Sequence, residues 1–202
     1  MKNKGWFNIV FMLVITIMFT GLLSGAYQYT RPIIQTNERA FEIQAYLNAF
    51  QIDIPVDARG QDIEKIYTQR IKREDAKHLE VYKTTDSQKN ITAYGFPFRG
   101  GALWGDIIGI LVLTPDLQQV VGFEIIEQNE TPGLGGRIEE EWFKAQFEGI
   151  LLYQDKNAIR YNTSSQEGQV DAITGATSSS NALVQILNEK IEDIRMQMGG
   201  AK

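Results

Sequence analysis

The chain has 202 residues, a formal net charge of −5, one histidine and no cysteine. Hydrophobic residues at 43% and charged residues at 22% suit one core-bearing domain with an appendage. This composition excludes disulfides, iron–sulfur clusters, thiolate nucleophiles and the common zinc sites, and an acidic chain without clustered Lys and Arg is not expected to bind nucleic acid. No metal site is expected, so any redox chemistry must come from an acquired organic cofactor.

Residues 5–30 carry no charged side chain and include "WFNIVFMLVITIMFTGLL". As a helix rising about 1.5 Å per residue, this run can cross a hydrocarbon layer about 30 Å thick. Trp6 stands at one end and Tyr27 and Tyr29 at the other, where interfacial aromatics belong, and Lys2 and Lys4 precede the run. The expectation is a single-pass anchor in the cytoplasmic membrane, N-terminus inside and the rest outside. A cleaved signal peptide competes with it, since Ser24 and Ala26 form a small-x-small pattern, but the apolar run is longer than a usual signal core.

Beyond Pro32, "IIQTNERAFEIQAYLNAF" spaces Ala40, Ile43, Leu47 and Phe50 for one helical face, and "IEKIYTQRIKRE" reads as a second, shorter helix. The runs "HLEVYKT", "NITAYGFPF", "DIIGILVLT" and "QVVGFEIIEQ" are rich in β-branched and aromatic residues and are separated by turn residues, which predicts consecutive antiparallel strands. His78 opens the first of them as a surface residue. "EEEWFKAQF" predicts a short helix ended by Gly149, with Trp142 on its buried face, and "SSNALVQILNEKIEDI" a final helix burying Leu183, Ile186, Leu187 and Ile194. The fold class is therefore α+β, an antiparallel sheet with flanking helices behind one membrane helix. Its expected divisions are 1–30 as anchor, 31–75 as helical lead-in and 76–202 as an extracytoplasmic domain.

"TGATSSS" opens the last helix with Thr174, Thr177, Ser178, Ser179 and Ser180. One hydroxyl suffices to cap a helix, and Gly175 permits the preceding turn. An anion site is the other reading. A helix N-terminus offers free N–H groups and partial positive charge, and Gly175 and Ala176 keep bulk away from the backbone. Both readings stay open on these residues alone. "ETPGLGG", from Glu130 to Gly136, likewise reads as a turn set by Pro132 and Gly133.

"DAITGATSSS" resembles the D-x-x-[ST]-G-A-T-x-[ST] flavinylation motif of two related FMN-binding proteins, the C subunit of the Na+-translocating NADH:quinone oxidoreductase (Nqr) and the G subunit of the Rnf complex. "ETPGLG" followed by a Trp, and "GGALWGDIIGILVL", are similar to further segments of that family. The resemblance covers the anchor and most of the exported region, and leaves Nqr and Rnf membership open. It implies that Thr177 carries FMN through a phosphoester, with Thr174, Gly175, Ala176 and Ser178 around the phosphate. It also implies that Glu130, Thr131, Leu134 and Gly135 border the isoalloxazine, with Leu103 and Trp104 as an apolar wall; core packing is the alternative for those two. Asp171 is implied in recognition by a Mg2+-dependent FAD:protein FMN transferase, and is equally readable as a turn residue. A threonine hydroxyl without a nearby base fits attachment by an outside enzyme.

The implied function is electron transfer through covalent FMN, within a redox-driven ion-translocating complex of membrane subunits. The alternatives are a non-redox extracytoplasmic ligand-binding or scaffold module, in which "TGATSSS" is only a cap, and a flavinylated domain serving an extracytoplasmic reductase.

Overall fold

Alternating side chains build the sheet. β1 (Ile71–Ala76), β2 (Leu79–Thr85), β3 (Ile91–Gly101), β4 (Asp106–Leu113) and β5 (Val120–Glu127) pair as antiparallel neighbours in chain order. The computed structural model describes residues 4–76, 79–162 and 168–198, so His78 lies outside the described residues. Among the described residues these strands form one five-stranded sheet. Two compact units emerge, Met1–Ala40 and Phe41–Lys202, with the boundary falling inside α1 (Lys4–Ala49).

One face of the sheet presents Phe96, Phe98, Ile107, Leu111, Phe123 and Ile125 to Leu183, Leu187, Ile191 and Ile194 of α4 (Thr177–Met198). Ile138, Phe143 and Phe147 complete that cluster from a 3-10 turn (Gly135–Glu139), the four-residue α3 (Glu141–Lys144) and a second 3-10 turn (Ala145–Phe147). The opposite face presents Ala93, Ile110 and Val112 to Ile43 and Leu47 of α1, Phe50 in the turn just after it, and Ile63 of α2 (Gly60–Arg70). Covered on both faces, β4 reads as an almost continuous apolar run, "IIGILVL". Each large side chain buried here contributes about 1.5–3 kcal/mol.

Three sequence expectations are corrected. "IKRE" is not the end of a helix: the chain becomes extended at Ile71 and forms the edge strand β1. Its charges suit an edge, which must not invite pairing with another chain, and they pair across to β2 through Arg73–Glu80 (3.2 Å) and Glu74–Lys83. The helices expected on either side of Pro32 are one helix. A proline inside a helix loses one donated bond and crowds the carbonyl four residues back; hydroxyls of Thr30 and Thr36 add bonds to the Ala26 (3.1 Å) and Pro32 (2.9 Å) carbonyls. Finally, Trp142 is not core but 45% exposed. With α3 so short, Phe143 and Phe147 take the inward positions, and the Trp142 ring lies outside under the Arg137 guanidinium, 5.1 Å from its centroid.

Two tyrosines tie this packing to pH. Burial pushes the Tyr82 phenol from 10.0 up to about 12, helped by its hydrogen bond to Glu80 (2.6 Å), and burial also raises Tyr161, which donates to the Ser180 carbonyl (2.8 Å). A phenol that ionises less readily when folded stabilises the fold below its unfolded pKa and loses that contribution as pH rises. Thermal melts of the detergent-solubilised chain are therefore expected to fall between pH 10.0 and about 12, and Tyr161→Phe to flatten that fall. A midpoint indifferent to pH over that range contradicts this assignment.

Candidate functional site

Three segments of Phe41–Lys202 meet at one cleft: residues 102–105, which join β3 to β4; residues 128–135, which follow β5; and residues 170–180, which lead into α4. The cleft encloses about 340 Å³ and is lined by Leu103, Trp104, Thr131, Leu134, Gly135, Gly175, Ala176, Thr177, Ser178 and Ser179. That volume lies within the usual range of small-molecule sites, about 300–1,000 Å³.

Leu103 and Trp104 are 60% and 67% exposed. They stand in a tight β3–β4 connection closed by the Ala102 N–H donating to the Gly105 carbonyl (2.8 Å), so core packing does not describe them. On the facing loop the Thr131 carbonyl accepts from Leu134 N–H (3.1 Å) and Gly136 N–H (3.0 Å), which turns the chain at Pro132–Gly133 and exposes Thr131 and Leu134 to the cleft. Gly135 is obligatory at its place: a Cβ there would overlap the Ser179 hydroxyl and come within 2.9 Å of the Glu130 carboxylate.

The five hydroxyls divide by burial. Ser179 and Ser180 are buried, while Thr174, Thr177 and Ser178 are exposed. The Ser180 hydroxyl accepts from the Ile173 N–H (3.1 Å), bracing the lead-in loop, and the Ser179 hydroxyl donates to Glu130 Oε2 (2.5 Å). Neither caps the helix. α4 begins at Thr177, which puts Ala176, a poor capping residue type, at the cap position. The first bond closing the helix runs from Ser180 N–H to the Ala176 carbonyl (3.0 Å), so the N–H groups of Thr177, Ser178 and Ser179 have no acceptor within the helix. Gly175, at φ +81°, makes the turn that delivers the chain to this point. Exposed hydroxyls, free N–H groups and the positive end of a 22-residue helix thus converge on the cleft, whose lining contains no Lys or Arg.

Of the residues singled out from the sequence, Leu103, Trp104, Thr131, Leu134, Gly135, Gly175, Ala176, Thr177 and Ser178 are brought together here. Thr174 is exposed outside the lining, and Asp171 also stands apart: its carboxylate accepts from Asn162 Nδ2 (2.7 Å) and its N–H donates to Gln146 Oε1 (2.8 Å). Glu130 is behind the wall, 3% exposed. Sequence reasoning misses Ser179 as a site residue, because its partner lies 49 residues away in the chain.

All three segments that form this cleft fall within residues 102–192, which match the FMN-binding domain family. Beyond this domain the chain is similar to Nqr C subunits and Rnf-type G subunits, and it spans less than half the length of the Nqr C subunit it matches. It is 35% identical over 113 residues to the C subunit of the Na(+)-translocating NADH-quinone reductase of Pasteurella multocida, an alignment spanning 54% of this chain but only 44% of that protein. It is 28% identical over 191 residues to the G subunit of the ion-translocating oxidoreductase complex of Methanosarcina acetivorans, spanning 95% of each chain. The crystal structure of the Na(+)-translocating NADH-quinone reductase C subunit from Parabacteroides distasonis shares the fold with a TM-score of 0.70, at 20% identity, over 85% of this chain and 98% of that one.

Proposed function

We propose that this chain is the membrane-anchored electron-transfer subunit of an Nqr- or Rnf-type ion-translocating oxidoreductase, and that it carries FMN as a phosphoester on the Thr177 hydroxyl. One observation carries the reading: Thr177 is exposed, in the cleft, at an uncapped helix start. The residues fit the group. The α4 N–H groups and the Ser178 hydroxyl would hold the phosphate without a cationic side chain, Gly175 and Ala176 leave the backbone approachable, and Leu103, Trp104 and Leu134 offer apolar surface to the ring system. When bound, FMN supplies the redox chemistry. The chain's own residues attach it, orient it and shield one side of it from water.

Attachment balances as a transfer from FAD: the Thr177 oxygen forms the bond to the FMN phosphorus, AMP leaves, and the hydroxyl proton goes to solvent. A separate Mg2+-dependent transferase performs this step, with Asp171 shaping the loop it recognises. The long apolar stretch of α1 is the anchor. Its large side chains, among them Phe7, Leu13, Leu22 and Leu23, are exposed along the helix, which suits lipid or apolar partner helices as surroundings. Lys2 and Lys4 before the apolar run support a cytoplasmic N-terminus and an extracytoplasmic FMN-binding domain under the positive-inside rule. Residues 5–30 contain no ionisable carboxylate, Lys, Arg or His, so ion movement belongs to partner subunits.

Detergent extraction of the tagged chain from membranes of a competent host is expected to yield a yellow, dithionite-bleachable protein with polytopic membrane subunits bound to it. A chain recovered colourless, or from the soluble fraction alone, contradicts the proposal.

A further inference from the structure

We propose that Glu130 is a positioning residue, whose buried carboxylate locks the Leu103–Trp104 loop to the first turn of α4 and so holds the cleft open to the right width before any ligand enters. This rests on the cleft being the flavin site, but the lock itself is a property of the unloaded chain.

The carboxylate is nearly sealed from solvent and divides its two oxygens between two chain segments. Oε1 accepts from the Trp104 backbone N–H (2.9 Å), and Oε2 accepts from the Ser179 hydroxyl (2.5 Å). Its own N–H donates to Gln128 Oε1 (2.6 Å), which fixes the loop it stands on. One side chain therefore joins all three segments that form the cleft. A buried carboxylate is costly unless its acceptor sites are filled, so each bond it makes constrains its partner strongly. The partners matter. Trp104 N–H belongs to an exposed loop with little packing of its own, and Ser179 is two residues beyond Thr177, about 3 Å along the helix. The packing leaves no slack, since the carboxylate and the Ser179 hydroxyl occupy the space that a Cβ on Gly135 would need. Rigid support of this kind lets a site bind without first ordering its walls.

The test uses the full chain in detergent, from a host lacking the transferase, with Trp6→Phe and Trp142→Phe so that Trp104 is its sole tryptophan. Time-resolved fluorescence anisotropy then reports the mobility of the wall. Glu130→Gln is expected to behave as the parent, because its amide oxygen accepts from Trp104 N–H and its amide nitrogen donates to the Ser179 oxygen. Glu130→Ala and the milder Ser179→Ala are expected to free the indole. In a competent host, the same two variants are expected to be flavinylated about tenfold more slowly or worse, the scale of one buried polar group left without its hydrogen bond, and Glu130→Gln, which keeps both bonds, to restore the rate. Unchanged Trp104 mobility in Ser179→Ala, in a protein melting as the parent does, overturns the proposal; so does Glu130→Gln as mobile as Glu130→Ala. If the mobility pattern holds but no flavin attaches even to the parent, the lock stands and the flavin assignment falls.

Discussion

Thr177→Ala is expected to abolish covalent flavin completely while leaving the fold intact. The side chain is exposed at the first position of α4, and alanine is a good helix former, so the stability cost should stay within about 0.5 kcal/mol. Attachment, by contrast, is all or none, because Ala has no oxygen to esterify. Ser178 and Thr174 are also exposed, yet Thr174 lies outside the cleft lining and Ser178 sits one residue, about 100° of helical turn, away from Thr177. Thr177→Ser keeps the oxygen in place and is expected to retain flavin. Ultraviolet-excited fluorescence of the denatured band in a gel separates these outcomes, and a fluorescent Thr177→Ala band would move the attachment elsewhere.

The largest expected loss of stability lies at Lys144. Its ammonium is 2.6 and 2.8 Å from the two oxygens of Glu124 and 2.7 Å from Glu141, and both Lys144 and Glu124 are largely buried. Burial alone would lower the Lys144 pKa, but the two carboxylates outweigh it and hold it above the ordinary value; burial pushes Glu124 up from 4.5 despite the lysine. Removing one partner strands the other, which typically costs about 3–5 kcal/mol, whereas replacing both by apolar groups is often near neutral. Lys144→Ala is thus expected to lose most of that amount, and Lys144→Met with Glu124→Leu far less. Without its cation, Glu124 is raised further, so its protonated form is favoured in the folded state. Stability from such a group is present below its unfolded pKa and lost as pH rises through the folded one. The Lys144→Ala deficit should accordingly shrink as pH falls towards 4.5. Urea melts of the full chain check both the size and the pH trend; equal losses for the single and double variants would contradict the pairing.

What is legible in the amino-acid order depends on whether a segment's structure is dictated locally. β2 to β5 alternate apolar and polar residues or run continuously apolar, and α4 repeats its apolar positions every three to four residues, so period alone identifies them. The cleft residues are legible for a related reason: Gly133, Gly175 and the neighbouring hydroxyls announce turns and a helix start wherever they occur. β1 is not, because "IKREDA" carries no apolar alternation and becomes a strand only because β2 offers it an edge. Trp142 is misplaced by helical spacing, which assumes a helix longer than four residues. The Glu130–Ser179 contact has no local signal at all, since folding alone brings its two ends together.

Tandem mass spectrometry of the peptide spanning Asp171–Ser180, from protein matured alongside the transferase, tests the central claim most directly. The account predicts an added mass of FMN less one water, with fragment ions placing it on Thr177. The unmodified peptide alone, or the added mass on another residue, would contradict it.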